Sequence, residues 1–169
     1  MKRPLVAAVI AISALGVGGG VLAHTLQYRA EPVGANEFPL PIETDGEGTF
    51  SLKLSSDGMS ARFDLKIKEA LTDITQSHLH VGAPGSNGPI VVWLYPSAPP
   101  AVPIPGETDG RLAKGVFTEA NLVGPLAGDW DGFVAALRAG NIYVNVHTMA
   151  NPGGEIRDQV HAHGGGHDD

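Results

Sequence analysis

Two consecutive stretches of the chain alternate apolar and polar residues, which is typical of half-buried β-strands. Residues 50–55 and residues 61–68 each place an apolar side chain at every second position. Because successive side chains of a strand point to opposite faces, this period of two buries one face of each strand. The dipeptide Asp57-Gly58 between the stretches is a hairpin signal. The pattern therefore predicts two antiparallel strands that cover one side of a core.

The rest of the chain predicts further strands and one helix. Residues 129–139 are typical of a helix, with Asp129 or Asp131 as the N-cap and Gly140 as the stop signal. An exposed loop is predicted over Pro96–Gly106, which contains five prolines. The further predicted strands cover residues 75–81, 90–95, 112–117, 142–148 and 155–160. Short strands separated by turn signals predict an all-β antiparallel β-sandwich with one short helix.

The N-terminal segment has the features of an export signal. Lys2 and Arg3 are followed by an uncharged, largely apolar run over residues 4–23. Residues 1–23 therefore predict either a cleaved signal peptide or a membrane anchor formed by the apolar run. Both alternatives predict an exported domain, periplasmic or extracellular.

Three regions follow this segment. Residues 24–47 contain three prolines and no regular pattern, and they predict a linker. Residues 48–160 hold the predicted strands and form the domain. Residues 161–169 are polar and glycine-rich, and they predict a mobile tail, with metal capture by its histidines as the alternative. These tail histidines are His161, His163 and His167.

Charge and composition narrow the function. The net charge of −7 argues against nucleic acid as a partner. The chain has no cysteine, so disulfides, thiolate metal ligands and cysteine nucleophiles are excluded. A transition-metal site would have to use histidine, carboxylate, methionine or backbone groups.

Histidine occurs at alternate positions of one predicted strand and once in another. His78 and His80 flank Leu79, so strand geometry points both imidazoles to one face. His147, in the strand predicted over 142–148, would add a third imidazole if the two strands were neighbours. Three imidazole nitrogens suit a borderline metal ion such as copper or zinc. The alternative is that these histidines cap loops or form hydrogen bonds within the sheet.

Several short motifs resemble the CHRD domain, a family named for chordin and also found in microbial exported proteins. The motifs are HLHVGAP at 78–84, NGPIVV at 87–92, YVNVHT at 143–148 and NPGGEIR at 151–157. The resemblance covers roughly residues 49–160. It implies an immunoglobulin-like β-sandwich with a further similarity to copper–zinc superoxide dismutases.

The similarity to dismutases implies that His78, His80 and His147 occupy copper-ligand positions. Those enzymes place copper on a His-x-His strand and on a histidine of a later strand. This chain departs from their pattern, because no histidine lies between His80 and His147 to bridge two metals, the zinc loop has no counterpart, and the disulfide is absent. The resemblance therefore implies a mononuclear type 2 copper site.

Taken together, these features predict an exported copper-binding protein, with zinc as the alternative metal. Its role would be copper binding, storage or delivery, or electron transfer to a redox or copper-delivery partner protein. One alternative is a metal-free structural or interaction module that contacts a partner through Pro96–Gly106. A further alternative is a copper oxidoreductase with superoxide-dismutase-like chemistry. No nucleophile and base pattern stands out, so binding or electron transfer is favoured over catalysis.

Overall fold

The structure is a computed structural model that describes residues 27–163. The predicted signal peptide or anchor over residues 1–23 lies outside the described residues, as does the part of the predicted tail after His163. No helix within residues 27–163 has the length and apolar character needed to cross a membrane.

Strands dominate the described residues, and all paired strands are antiparallel. A single α-helix, α1, spans Trp130–Arg138. The strands are β1 (Gln27–Ala30), β2 (Glu47–Leu54), β3 (Ser60–Val81), β4 (Ile90–Tyr95), β5 (Ile104–Thr118), β6 (Ile142–Thr148), β7 (Ile156–Gln159) and β8 (His161–His163). These elements confirm the predicted all-β class with one short helix.

β3 is 22 residues long and joins two layers of the sheet. Its first part pairs with β2 and β5, and its last part, from Ile74 to Val81, pairs with β4 and β6. The register shifts between Ile67 and Leu71, and Asp73 adopts a φ of 53°, where the strand changes direction. One layer is therefore β8-β1-β2-β3-β5 and the other is β4-β3-β6-β7, and together they nearly close into a barrel.

The hydrophobic core lies between these layers. The apolar positions of the alternating stretches point into it, and Leu52 and Leu65 are almost fully buried. α1 closes one end of the core with Phe133, whose ring lies 5.4 Å from that of Phe117. The helix begins as predicted, because the carboxylate of Asp129 accepts a hydrogen bond of 2.8 Å from the backbone N–H of Gly132.

The segment predicted as a linker, residues 24–47, is instead part of the domain from Gln27 onward, and residues 24–26 lie outside the described residues. It contains β1, which pairs with β2 on one side and β8 on the other. Val33 forms bridges to Glu47 and Arg157, which fasten the segment to both layers. The prediction is wrong because a four-residue strand among prolines shows no period-two pattern. Its partners are residues distant in sequence, which local patterns do not reveal.

Two other predicted boundaries also shift. β8 includes His161 and His163, so the tail does not begin at His161. β5 begins at Ile104, inside the predicted loop, and continues past Gly106 and Gly110, whose positive φ values interrupt the alternating pattern.

Candidate metal centre

His78, His80 and His147 lie on adjacent strands of the second layer. β3 and β6 pair so that His78 lies opposite Asn145 and His80 lies opposite Tyr143. Directly opposed residues of a sheet share a face. His147 follows Asn145 by two positions and therefore points to the same side. The intervening Leu79 is fully buried in the core on the other side.

The structure brings the three histidines together, as the sequence predicted. One ring nitrogen from each lies within 4.8 Å of the others. All three residues are buried, with exposed fractions of 0% for His78, 8% for His80 and 6% for His147. Side chains on the outer face of a sheet are buried only if other parts of the chain cover them, and here loops cover the three histidines.

Two of the imidazoles are oriented by backbone carbonyl groups of these loops. Nδ1 of His80 lies 2.9 Å from the carbonyl oxygen of Gly88, and Nδ1 of His147 lies 3.0 Å from that of Pro152. Because a carbonyl oxygen only accepts, each Nδ1 is the donor. The neutral rings of His80 and His147 therefore direct the lone pairs of their Nε2 atoms into the cluster, which is the usual way a protein fixes a metal-binding tautomer.

The cluster leaves buried nitrogen atoms without hydrogen-bond partners. Nδ1 of His78 lies 3.2 Å from Nε2 of His147. Nε2 of His78 and Nε2 of His80 are buried and have no partner in the structure. Such orphaned atoms are unusual inside proteins. Two imidazole nitrogens bound to one ion at about 2.0 Å each would lie less than about 4 Å apart, so the 3.2 Å separation fits a shared metal ion.

The histidines are held in their neutral, metal-binding form. Burial lowers the pKa of His78 to about 3, and the neighbouring His147 and His80 lower it further. Burial also lowers the pKa of His80 to about 4, although its hydrogen bond to Gly88 opposes the shift. The pKa of His147 is lowered by burial as well, against its bond to Pro152. At neutral pH the three rings are uncharged, so the only proton that a metal ion must displace from the cluster is the one on Nδ1 of His78.

Aromatic side chains form the walls of the site. Trp93 of β4 meets the ring of His78 edge-on, with 4.3 Å between ring centroids. Tyr143 stacks on His80 at 4.8 Å and with only 8° between the planes. Arg157 covers the other side of Tyr143, with its guanidinium carbon 3.6 Å from the ring centroid. These contacts fix the imidazole planes and exclude water from them.

Glu37 is the residue near the site that sequence reasoning missed. It lies in the segment predicted as a linker, it is only 7% exposed, and its Oε1 has no hydrogen-bond partner. Burial raises the pKa of Glu37 to about 7, while the charge of Arg157 and a hydrogen bond with Asn145 oppose the shift. No local pattern marks Glu37, because it is buried only by residues distant in sequence.

The covering loops are tied to each other by further polar contacts. Arg157 donates to Oδ1 of Asn87 at 2.9 Å and to the carbonyl oxygen of Ser86 at 2.6 Å. Glu155 accepts hydrogen bonds from Thr44, Thr148 and Asn151. These bonds lower the pKa of Glu155 against the effect of its burial. The network holds the carbonyl groups of Gly88 and Pro152 in place over the histidines.

Fold and site together define an all-β domain with a buried three-histidine cluster on one outer face of its sheet. The model of the CHRD domain matches residues 28–160 of this chain, and the chain belongs to the CHRD domain family. The match begins at β1, in agreement with the place of that strand in the sheet. No curated protein and no solved structure matches the chain.

Proposed function

We propose that this protein is an exported copper-binding protein with one mononuclear site formed by His78, His80 and His147. The observation that carries the proposal is the convergence of three buried, neutral imidazoles, two of which have a buried nitrogen without a hydrogen-bond partner. A cluster of this kind without a metal leaves polar atoms desolvated and unpaired, which is unfavourable by about 1–3 kcal/mol for each such atom. A bound ion would satisfy the unpaired Nε2 of His80 and would replace the contact between Nδ1 of His78 and Nε2 of His147.

Copper is favoured over zinc by general affinity. Imidazole suits both ions, but divalent copper binds a given nitrogen site more tightly. Three protein ligands leave a coordination position open. When bound, copper would supply one-electron redox chemistry, which suits storage, delivery or electron transfer to a redox or copper-delivery partner.

The residues of this chain have separate roles in the proposed site. Gly88 and Pro152 orient His80 and His147 through their carbonyl groups. Trp93 and Tyr143 exclude water and fix the ring planes. His78 holds the proton shared with His147, and this proton must leave Nδ1 before that nitrogen binds a metal.

Export is part of the proposal and rests on two supports. Lys2 and Arg3 precede the apolar run over residues 4–23, which is the order found in signal peptides and N-terminal anchors. CHRD domains occur in extracellular proteins. Fractionation of cells that express the full chain tests export, and recovery in the cytoplasm alone would contradict it.

Metal content and electron paramagnetic resonance of the full chain test the copper site. The wild type should retain one copper ion per chain after dialysis against a weak chelator and should give a type 2 signal. His147→Gln should lose this copper. The matched control is His161→Gln, which removes an exposed histidine of β8 outside the cluster and should keep it.

Each other outcome selects a different function. One tightly held zinc ion with no copper preference would contradict the choice of metal. Copper lost equally in both variants would point to adventitious binding. A wild type that is folded by circular dichroism and holds no metal would leave a metal-free interaction module as the better account.

A further inference from the structure

The outer face of the first layer carries an excess of positive charge in a chain whose net charge is −7. The alternation that buries one face of β1, β2, β3 and β5 exposes the other. Basic residues occupy that exposed face on all four strands. We call it the basic face, and its cations are Arg29, Lys53, Arg62, Lys66, Arg111 and Lys114.

Few carboxylates neutralise this face. Within residues 27–163, Arg111 forms an ion pair with Asp64 at 2.9 Å, and the other ion pair there joins Lys68 to Glu47. The other five cations of the basic face have no ion-pair partner in that range. Lys53 also lies directly opposite Arg62 in the strand register. Like charges at opposed positions destabilise a sheet. Because this arrangement lowers the stability of the fold, it indicates that the basic residues serve a function.

The basic face forms a shallow groove of about 610 Å³. Arg29, Lys53 and Arg62 line it together with the exposed Val116. Several ammonium and guanidinium groups around an open groove bind negative charge that is spread over a surface better than they bind a single small anion. The groove therefore fits an extended anionic surface.

Three features lie at the same end of this layer. Lys53 and Arg62 lie at this end, and Val116 is opposite Arg62 in the strand register. The β2–β3 turn places Met59 there, with 70% of its surface exposed. The first residue of β1, Gln27, pairs with Lys53. Cations next to exposed apolar side chains are the usual composition of a membrane-contacting surface.

The chain that enters β1 carries the apolar run over residues 4–23. The three residues between that run and Gln27 span at most about 10 Å when extended. If the run stays in a bilayer, the basic face is held within about one Debye length of the lipid headgroups, which is about 8–10 Å at physiological salt. We propose that the basic face docks the domain on an anionic lipid surface. This inference does not depend on the copper site.

Vesicle partitioning of the full chain tests the proposal. Vesicles of phosphatidylcholine alone are compared with vesicles that contain phosphatidylglycerol, so that insertion of the apolar run contributes to both. The wild type should partition at least about tenfold more strongly into the anionic vesicles, since each basic residue near such a surface contributes about fivefold and several lie on the basic face. High salt should remove the difference.

Matched variants of equal charge change separate the basic face from net charge. Arg62→Gln should lower the preference for anionic vesicles by about fivefold, and Lys53→Gln with Arg62→Gln by about tenfold or more. Arg138→Gln removes one exposed cation of α1, outside the basic face, and should keep the preference. Circular dichroism confirms folding of each variant.

Two results would overturn the proposal. One is equal partitioning of the wild type into both vesicle types at low salt. The other is tight binding to a soluble polyanion such as polyglutamate without any preference for anionic vesicles, which would assign the basic face to an acidic macromolecule instead.

Discussion

Nδ1 of His78 lies 3.2 Å from Nε2 of His147, although the two residues are 69 positions apart in the chain. Because Nδ1 of His147 donates to the carbonyl oxygen of Pro152, its Nε2 can only accept while the ring is neutral. The proton between the two rings therefore belongs to His78. If either ring took up a second proton, both facing nitrogens would be donors and the contact between them would be lost. The geometry of the pair therefore makes the fold sensitive to acid.

We expect the metal-free protein to lose stability as the pH falls from 6.5 towards 4. The folded-state pKa values of His78 and His80 are lowered to about 3 and about 4, whereas the unfolded chain takes up protons near pH 6.5. Their stabilisation is therefore present above pH 6.5 and is lost below it. As the pH falls through this window, each of the two histidines should lower the free energy of unfolding by about 1.4 kcal/mol per pH unit.

Urea unfolding at several pH values measures this slope. His80→Gln should lower this slope by about 1.4 kcal/mol per pH unit, and the exposed-site control His161→Gln should leave it unchanged. A free energy of unfolding that does not vary between pH 6.5 and 5 would contradict the buried neutral state of the cluster. Bound copper should protect the fold, because it competes with protons for the same nitrogens.

Glu37 should produce a pH dependence of opposite sign. Burial raises its folded-state pKa to about 7 from an ordinary value of 4.5. The folded state therefore holds a proton that the unfolded chain has lost, and stability from this group falls as the pH rises from 4.5 to 7. Glu37→Gln removes the effect, so the stability of the variant relative to wild type should rise by about 3 kcal/mol between pH 4 and pH 8.

Thermal or urea unfolding of Glu37→Gln and wild type at pH 4 and pH 8 gives this difference, in which the histidine contribution cancels. Glu119→Gln, in an exposed turn, is the control for removal of a surface carboxylate. A constant difference across the pH range would show that Glu37 is charged in the folded protein.

Local patterns in the sequence reveal the elements that bury one face along a regular period. β2 and α1 are found in this way, and the His-x-His motif places His78 and His80 on one face because strand geometry alone demands it. Local patterns miss the cover of the site. Glu37 and the bend of β3 at Asp73 depend on contacts between segments distant in sequence, which carry no period. The neighbouring positions of β3 and β6, which bring His147 to the cluster, are likewise a property of topology.

Arg157→Lys should loosen the loop that orients His80. The guanidinium of Arg157 stacks on Tyr143 and donates to both Asn87 and Ser86. A lysine ammonium cannot reproduce the planar, two-sided geometry. We expect a loss of about 2 kcal/mol in the free energy of unfolding, since hydrogen bonds from a charged group are worth about 1.5–3 kcal/mol. Amide exchange over residues 82–89 should become faster.

The exposed Arg62→Lys is the matched control, and its exchange rates should equal those of the wild type. If Arg157→Lys left exchange over 82–89 unchanged, the loop would be held by the backbone alone. The copper dissociation rate gives a second measurement, because the carbonyl of Gly88 belongs to this loop and fixes the tautomer of His80.

Gly154→Ala should damage the site more than Gly153→Ala in the same β6–β7 turn. Gly154 has a φ of +133°, which L residues rarely adopt, and an added Cβ would lie 2.5 Å from Nδ2 of Asn145 and 2.6 Å from Oε1 of Glu37. Strain and overpacking together should destabilise the fold by about 2–4 kcal/mol. At Gly153 an added Cβ meets no atom within 4 Å, so Gly153→Ala should stay close to wild type. Urea unfolding and copper content of the two variants test this contrast. Equal behaviour of both would mean that the close approach of Gly154 to Asn145 and Glu37 has no role in holding the site closed.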